Sequence, residues 1–450
     1  MVDDALTTTG YHEPLLFDKS NAPLSNFHTP VFPGTISFMF KQGPVMASNH
    51  LQGLLVTVMI ACVATCYGFG LSLFPQIIPD MRRDLAFDYA FVGTVTGLVQ
   101  LSSVASALIS TWLVHRIGAA RTVVGSVTLC GLCLLSIPVA SNVYVLAALL
   151  MMAGSTGAST FVPMIDIASR VVKPDRRGFV MSLISSAPSY GVVINSALVA
   201  AFAGSGHWQI AWYTTGAISI ALAVATCILF ERAGLSGDPP SRNTDGFAGW
   251  PSKLRSITPW VFLIFVLGFL NGVMPFPYLT YLSPLLREER GYTVGAVSVL
   301  WATIGAVGIG AGFVLGTIAS RFGSRSAMVV CYTCFVAGGV LMHIDTSVEL
   351  SIIAVASFSL GFYPIYGLLP SYVAYRAGPH VAVTVMGICT VLQGIGGTTG
   401  NFLGGLIKTS TQSFGGIYLA AALIAAIAAG ISMLLASDRE PRHGPGTLAR

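Results

Sequence analysis

The residues with the clearest chemical potential are polar side chains within long apolar stretches. Asp166 and Arg170 stand four positions apart in one such stretch, and residues at that spacing lie on the same face of a helix. Ionisable groups in an apolar environment are costly unless they are paired or have a role. We expect this pair near one end of its helix, where a gate or a structural ion pair fits better than a deep binding site.

Uncharged amide and phenol side chains in the same apolar stretches are candidates for lining a solute site. Their alternative role is hydrogen bonding between helices, which contributes about 0.6 kcal/mol per pair on average. The candidates are Tyr67, Gln100, Tyr190, Asn195, Asn271, Tyr278, Tyr281, Tyr363, Tyr366, Gln393 and Asn401.

Catalytic chemistry has little support in the sequence. Cys130 and Cys133, like Cys331 and Cys334, have the CxxC spacing of metal or redox sites, but no His or acidic residue stands beside them. Small side chains that pack between helices explain them better. The sequence also has no phosphate-binding Walker loop, no H-E-x-x-H and no G-x-S-x-G motif. We therefore predict that the chain is not an enzyme and needs no cofactor or metal.

The composition predicts the elements that position these residues. The chain is 54% hydrophobic and 9% charged, whereas soluble domains carry about 25% charged residues. A membrane-spanning helix needs about 20 mostly apolar residues, and this template predicts an all-α membrane protein of twelve helices. The predicted spans are 52–74, 89–114, 121–140, 143–168, 178–202, 209–231, 257–285, 294–319, 326–343, 348–374, 381–406 and 413–436.

A repeat divides these helices into two halves. The short basic turn His115–Gly118 has a counterpart at Ser320–Gly323, and the Arg and Gly of the two turns are each 205 positions apart. The same offset relates Gly191 to Gly396. We expect two similar six-helix halves, a parallel repeat about an axis along the membrane normal. The predicted domains are an N-terminal tail 1–50, which we expect to be disordered, a half 51–231, a linker 232–256, a half 257–436 and a tail 437–450.

Charge predicts the orientation. Most Lys and Arg residues of the short loops fall on the side that also holds both termini, and such loops usually face the cytoplasm. We expect a multi-pass protein of the cell (inner) membrane with both termini cytoplasmic, and translation could start at Met1 or Met46. Residues 67–76 and 271–281 combine Gly, Pro and aromatic residues in the first and seventh spans, which favours interrupted helices beside a solute site.

The basic turns also carry a family resemblance. Residues 111–121 and 316–325 resemble the loop that follows the second helix of each half in the major facilitator superfamily. Thr111 replaces the first Gly of that motif, and His115 and Ser320 stand where an acidic residue is usual. The resemblance implies two six-helix halves that alternate access to a central site. It also implies a latch at the cytoplasmic side, for which the gating candidates are Arg116, Gly118, Asp166, Arg170, Arg321 and Gly323.

From this resemblance we predict a monomeric bacterial secondary transporter for a small organic solute, with a carboxylate or similar anion among the possible substrates. Proton-coupled uptake is the expected mode, and the alternatives are proton-coupled efflux of a drug or metabolite and a transporter-like membrane sensor. The expected partners are the solute, the lipid bilayer and the coupling proton. No interaction with nucleic acid is expected, because the basic residues lie in short loops between apolar stretches.

Overall fold

The computed structural model describes residues 49–173, 176–235, 259–344 and 347–438. The predicted N-terminal tail, the central linker and the C-terminal tail fall almost entirely outside these ranges, as does Met46. All of the helices described belong to the compact unit that extends from Pro44 onward.

Twelve helices in the described part of the chain are long and apolar enough to span a membrane, which confirms the predicted number. In chain order they form α1 to α12 and alternate in direction across the bundle. Their bounds are His50–Leu85, Tyr89–Ile117, Ala119–Val139, Val143–Val171, Phe179–Ser205, Trp208–Arg232, Pro259–Glu289, Val294–Phe322, Ser324–Ile344, Val348–Ala377, Val381–Thr411 and Gly415–Leu434. Each half of the fold contributes six of them.

The first helix of each half is irregular, as the Gly and Pro residues predicted. In α1 the turn Ala64–Phe69 is π-helical, and in α7 regular helix stops at Val273 and resumes at Pro275. Proline lacks a backbone N–H and interrupts the helical hydrogen bonds. The predicted end of α1 at residue 74 was wrong, because the helix continues through Pro75 and Pro79 to Leu85.

Two repeat-related glycines bring helix backbones into direct contact. A Cβ atom at Gly191 in α5 would lie 2.4 Å from the carbonyl oxygen of Ala64 in α1. A Cβ atom at Gly396 in α11 would lie 2.1 Å from the carbonyl oxygen of Phe269 in α7. Small residues let helices pack closely in membranes, where lipid gives no hydrophobic drive for association. The 205-residue offset therefore corresponds to the same packing contact in each half.

The two basic turns share a backbone conformation that favours glycine. Gly118, between α2 and α3, has φ +90°, and Gly323, between α8 and α9, has φ +85°. Residues other than glycine rarely adopt this backbone conformation, because their Cβ atom clashes with the neighbouring backbone. We call the end of the bundle that carries these two turns the basic face, and the other end the opposite face.

The two halves contact each other mainly through α2 against α11 and α5 against α8. Glycines allow close approach here too. A Cβ atom at Gly93 in α2 would lie 2.6 Å from the carbonyl oxygen of Asn401 in α11, and one at Gly305 in α8 would lie 2.7 Å from that of Ser189 in α5. We call these two contacts, α2 with α11 and α5 with α8, the seams between the halves.

The glycine contacts predict the effect of adding a single methyl group. We expect Gly191→Ala and Gly396→Ala each to destabilise the fold by about 1–3 kcal/mol, because the added carbon must displace helix backbone. Gly310→Ala is the matched control, since no atom of another helix lies within 4 Å of the position that its Cβ would take. Thermal unfolding in detergent measures the difference. Equal unfolding midpoints for all three variants would contradict the packing assignment.

Candidate solute-binding site

A cavity of about 380 Å³ lies between the two halves, in the part of the bundle nearer the basic face. Small-molecule sites commonly have volumes of about 300–1,000 Å³. Its walls come from α4, α7, α10 and α11, and all of its lining side chains are uncharged. They are Phe161, Ile165, Gly268, Asn271, Ile365, Tyr366, Leu369, Pro370, Met386, Gly387, Cys389, Thr390 and Gln393.

The C-terminal half supplies the amide and phenol groups of the cavity. The hydroxyl of Tyr332 donates a hydrogen bond of 3.0 Å to Oδ1 of Asn271, which fixes the amide and leaves its nitrogen as the donor for a ligand. Nε2 of Gln393 donates to the hydroxyl of Tyr366 at 2.8 Å. That hydroxyl keeps its own proton for donation, and Oε1 of Gln393 remains an acceptor.

The N-terminal half supplies apolar and aromatic groups. Phe161 and Ile165 stand one turn apart on α4 and line the cavity together. The ring of Tyr67 in α1 meets the ring of Phe161 edge to face, with centroids 6.4 Å apart. Phe161 was absent from the candidates derived from sequence. The signal that could have identified it is the repeat, because Phe161 and Tyr366 are 205 positions apart.

The structure brings only some of the predicted site residues to the cavity. Asn271, Tyr366 and Gln393 line it, and Tyr67 lies directly behind its wall. The other candidates lie elsewhere, and a role for them in solute binding stays a prediction. They are Gln100, Tyr190, Asn195, Tyr278, Tyr281, Tyr363 and Asn401.

Several of the candidates away from the cavity make contacts with other helices. Asn195 in α5 donates through Nδ2 to the carbonyl of Gly68 at 2.8 Å. Tyr278 is stacked on Phe358 with centroids 4.1 Å apart. The hydroxyl of Tyr281 donates to the carbonyl of Asn401 at 3.0 Å. These contacts all join neighbouring helices.

The remaining three lie between helices as well. Gln100 in α2 packs against Gly397 of α11. Tyr363 in α10 packs against Gly308 of α8. Tyr190 packs against the apolar core.

Ion pairs join the two halves at the opposite face. The guanidinium of Arg287 in α7 binds both carboxylate oxygens of Asp80 in α1, with Nη2 to Oδ1 at 2.9 Å. The Asp80 side chain is fully buried. Nη1 of Arg82 in α1 lies 3.5 Å from the carboxylate of Glu288 in α7. Each of these arginines also has acidic residues close by in its own loop, but these two pairs cross between the halves.

The predicted gating residues lie toward the basic face. The carboxylate of Asp166 and the guanidinium of Arg170 are 2.8 Å apart on α4, so the two side chains form the ion pair that their spacing allows. The Arg116 guanidinium lies over the ring of Trp112, 5.4 Å from its centroid. Arg321 is exposed in the equivalent turn. The gating role itself stays a prediction.

Twelve spanning helices in two repeated halves, with a solute-sized cavity between them, define a multi-pass membrane transporter. The chain belongs to the Major Facilitator Superfamily, whose family model matches residues 60–401. This confirms the family and the fold expected from the basic turns, and it agrees with the prediction that the chain is not an enzyme.

Relatives and solved structures agree with this assignment. The 3-(3-hydroxy-phenyl)propionate transporter of Escherichia coli is 24% identical over 90% of this chain and 99% of its own length. The multidrug resistance protein MdtL of Klebsiella pneumoniae is 23% identical over 53% of this chain, and the match spans 60% of that protein. The crystal structure of the nucleoside transporter NupG superimposes with a TM-score of 0.66 at 13% identity, covering 85% of this chain and 98% of that one.

The ion pairs predict how the opposite face opens. We expect Arg287→Gln to raise the population in which the halves part at that face, because losing one partner of a buried pair costs about 3–5 kcal/mol. Distances between spin labels placed at the opposite-face ends of α1 and α7 measure the parting.

Arg83→Gln is the matched control for this prediction. Arg83 also contacts Asp80, at 3.3 Å, but both residues belong to α1, and the Arg83 side chain is 65% exposed. Its loss should leave the label distances nearly unchanged. Equal distance distributions for the two variants would show that the Asp80–Arg287 pair does not hold the halves together.

Proposed function

We propose that the protein is a secondary active transporter that takes up a small organic solute by alternating access. The observation that carries this proposal is the asymmetry of the bundle. The uncharged cavity of about 380 Å³ lies toward the basic face, whereas at the opposite face two ion pairs join the halves and line a more open, charged cavity of about 360 Å³. With the basic face in the cytoplasm, as the positive-inside rule favours, this arrangement is an inward-facing state in the bacterial inner membrane.

The proposed motion is a rocking of one half against the other. The α2–α11 and α5–α8 seams would act as the pivot, since backbones already touch there at Gly93 and Gly305. Parting of Asp80 from Arg287 and of Arg82 from Glu288 would open the opposite face. The cavity would then close at the cytoplasmic side, so that the solute meets one compartment at a time.

The basic turns and the Asp166–Arg170 pair are the proposed cytoplasmic gate. Arg116 and Arg321 stand at the helix ends that would approach the other half when the cavity closes. His115 does not supply the acidic group of the family motif, and its Nδ1 instead lies 2.6 Å from the carbonyl of Thr111 on its own helix. The ion pair on α4 is therefore the better placed charged element near the cavity.

Direction and solute class rest on the cavity walls and on the relatives. An amide, a phenol and a second amide beside apolar walls suit a compact solute, and full-length similarity to a hydroxyphenylpropionate transporter supports uptake of an aromatic acid. The runner-up is efflux of a drug or metabolite, supported by the partial match to a multidrug resistance protein. The proposal includes two further points: the protein works as a monomer, and it couples uptake of the solute to a proton.

Solute exchange across proteoliposomes tests the transport proposal. A ligand found by thermal-shift screening of carboxylates, sulfonates, sugars, amino acids and drugs should show counterflow. Binding without counterflow would contradict transport and favour the sensor. A response only to hydrophobic drugs would favour efflux.

The cavity assignment predicts a difference between two neighbouring tyrosines. We expect Tyr366→Phe to weaken ligand affinity about threefold to tenfold, the range for one lost hydrogen bond. Tyr363→Phe is the matched control, because Tyr363 lies on the same helix but outside the cavity wall. Titration of both variants with the screened ligand measures the affinities. An equal loss in both would place the ligand elsewhere.

The proposed gate predicts a rate effect without an affinity effect. We expect Gly118→Asp to slow transport while ligand affinity stays nearly unchanged, because the turn moves with the gate and the cavity is remote from it. Uptake rate and equilibrium binding are measured on the same preparation. Affinity that falls as much as the rate would contradict a gating role for this turn.

A further inference from the structure

The cavity wall has hydrogen-bonding groups but no charge. Asn271, Tyr366 and Gln393 provide polar atoms, and none of the thirteen lining residues is Asp, Glu, Lys, Arg or His. An ionised carboxylate that leaves water for such a site loses its hydration without gaining a cation, which is strongly unfavourable. A neutral solute with the same hydrogen-bonding groups loses far less.

The nearest charged groups of α4 are already paired with each other. Asp166 follows Ile165 of the wall, and Arg170 forms its ion pair one turn further toward the basic face. A solute anion that recruited Arg170 would have to replace the Asp166 carboxylate at 2.8 Å. The other titratable groups at the cavity are the Tyr366 phenol and the Cys389 thiol, and both types are ordinarily neutral near pH 7.

The two walls also differ in character, which indicates the shape of the solute. Phe161 and Ile165 present an aromatic and an aliphatic surface from the N-terminal half. The opposing polar side chains come from the C-terminal half, where Asn271 and Tyr366 keep a donor and Gln393 and Thr390 keep an acceptor. A planar aromatic solute with one hydrogen-bonding edge matches this arrangement.

We infer that the cavity binds the uncharged form of a compact aromatic solute, so that an acidic solute crosses the membrane with its own proton. The inference rests on the transport proposed above and names its substrate class. The proton stays on the carboxyl oxygen during the crossing, and the acid dissociates after release. One proton therefore accompanies each solute, the step is electroneutral, and the cavity wall itself need not titrate.

Three probes of nearly equal shape test this inference on the purified full-length protein. They are phenylacetate, α,α-difluorophenylacetate, which is a much stronger acid, and phenylacetamide, which is neutral. Between about pH 5 and 7 we expect the affinity for phenylacetate to fall about tenfold per unit, following its protonated fraction. The difluoro acid should bind more weakly at every pH, by the ratio of the two acidity constants, and the affinity for the amide should be constant.

Two outcomes would overturn the inference. Phenylacetate affinity that is independent of pH would show that the anion binds. An affinity change at the same pH for the acids and the amide would show that a protein group titrates, and loss of that change in Asp166→Asn would identify the group. Failure of all three aromatic probes, while a charged solute shows counterflow, would also overturn it and leave transport itself established.

A variant pair adds a test within the cavity. Ile165 lines the wall and its side chain is 51% exposed, so Ile165→Lys can place a cation beside the solute. We expect phenylacetate binding in this variant to lose most of its pH dependence, because the anion gains a partner. Ile165→Met is the uncharged control of similar length and should keep the steep dependence. Identical pH profiles for both variants would contradict the inference.

Discussion

Close contact between helix backbones at glycine is the constraint on which the rest of this fold depends. Helices in lipid gain nothing from burying apolar surface against each other, so they associate through tight packing and polar contacts. Gly191 and Gly396 provide that packing within the halves, and Gly93 and Gly305 provide it between them. Within a half the contact fixes the first helix near its irregular turn. Between halves it brings α2 against α11 and α5 against α8, where side chains of one helix also pack onto glycines of the other.

The lipid environment also restricts where charged side chains lie in the described part of the chain. They lie at the two faces, where water or a partner is available, and the cavity between them has none. The buried Asp80 carboxylate is tolerated because Arg287 contacts both of its oxygens. Such a pair adds little net stability, but losing one partner is expensive. The Asp80–Arg287 pair therefore contributes little to overall stability, but it disfavours conformations in which the two residues are apart.

Sequence reasoning succeeded where one signal determines one structural feature. Apolar length predicted twelve helices, and the 205-residue offset predicted the two halves. The sequence identified Asn271, Tyr366 and Gln393 as polar residues in apolar helices. It did not show that these three line a cavity while Tyr278 and Asn195 pack between helices. When nearly all residues of a helix are apolar, its pattern does not show which side faces a cavity and which side faces another helix. The Asp80–Arg287 pair was missed because each partner also has an opposite charge nearby in its own loop.

A cavity without charge changes what proton coupling requires of the protein. A carrier that binds an anion needs a cationic side chain and a titratable group to link the proton to the solute, and the wall contains no Asp, Glu, Lys, Arg or His. If the solute itself holds the proton, each solute molecule carries one proton across the membrane, and no protein group has to couple the two. The ion pairs at the opposite face then have a purely conformational role, and the proposed gate at Asp166 and Arg170 need not take part in proton transfer. The two amides, the phenol and the Thr390 hydroxyl of the cavity suit this arrangement, because they can bind a neutral solute by hydrogen bonds alone.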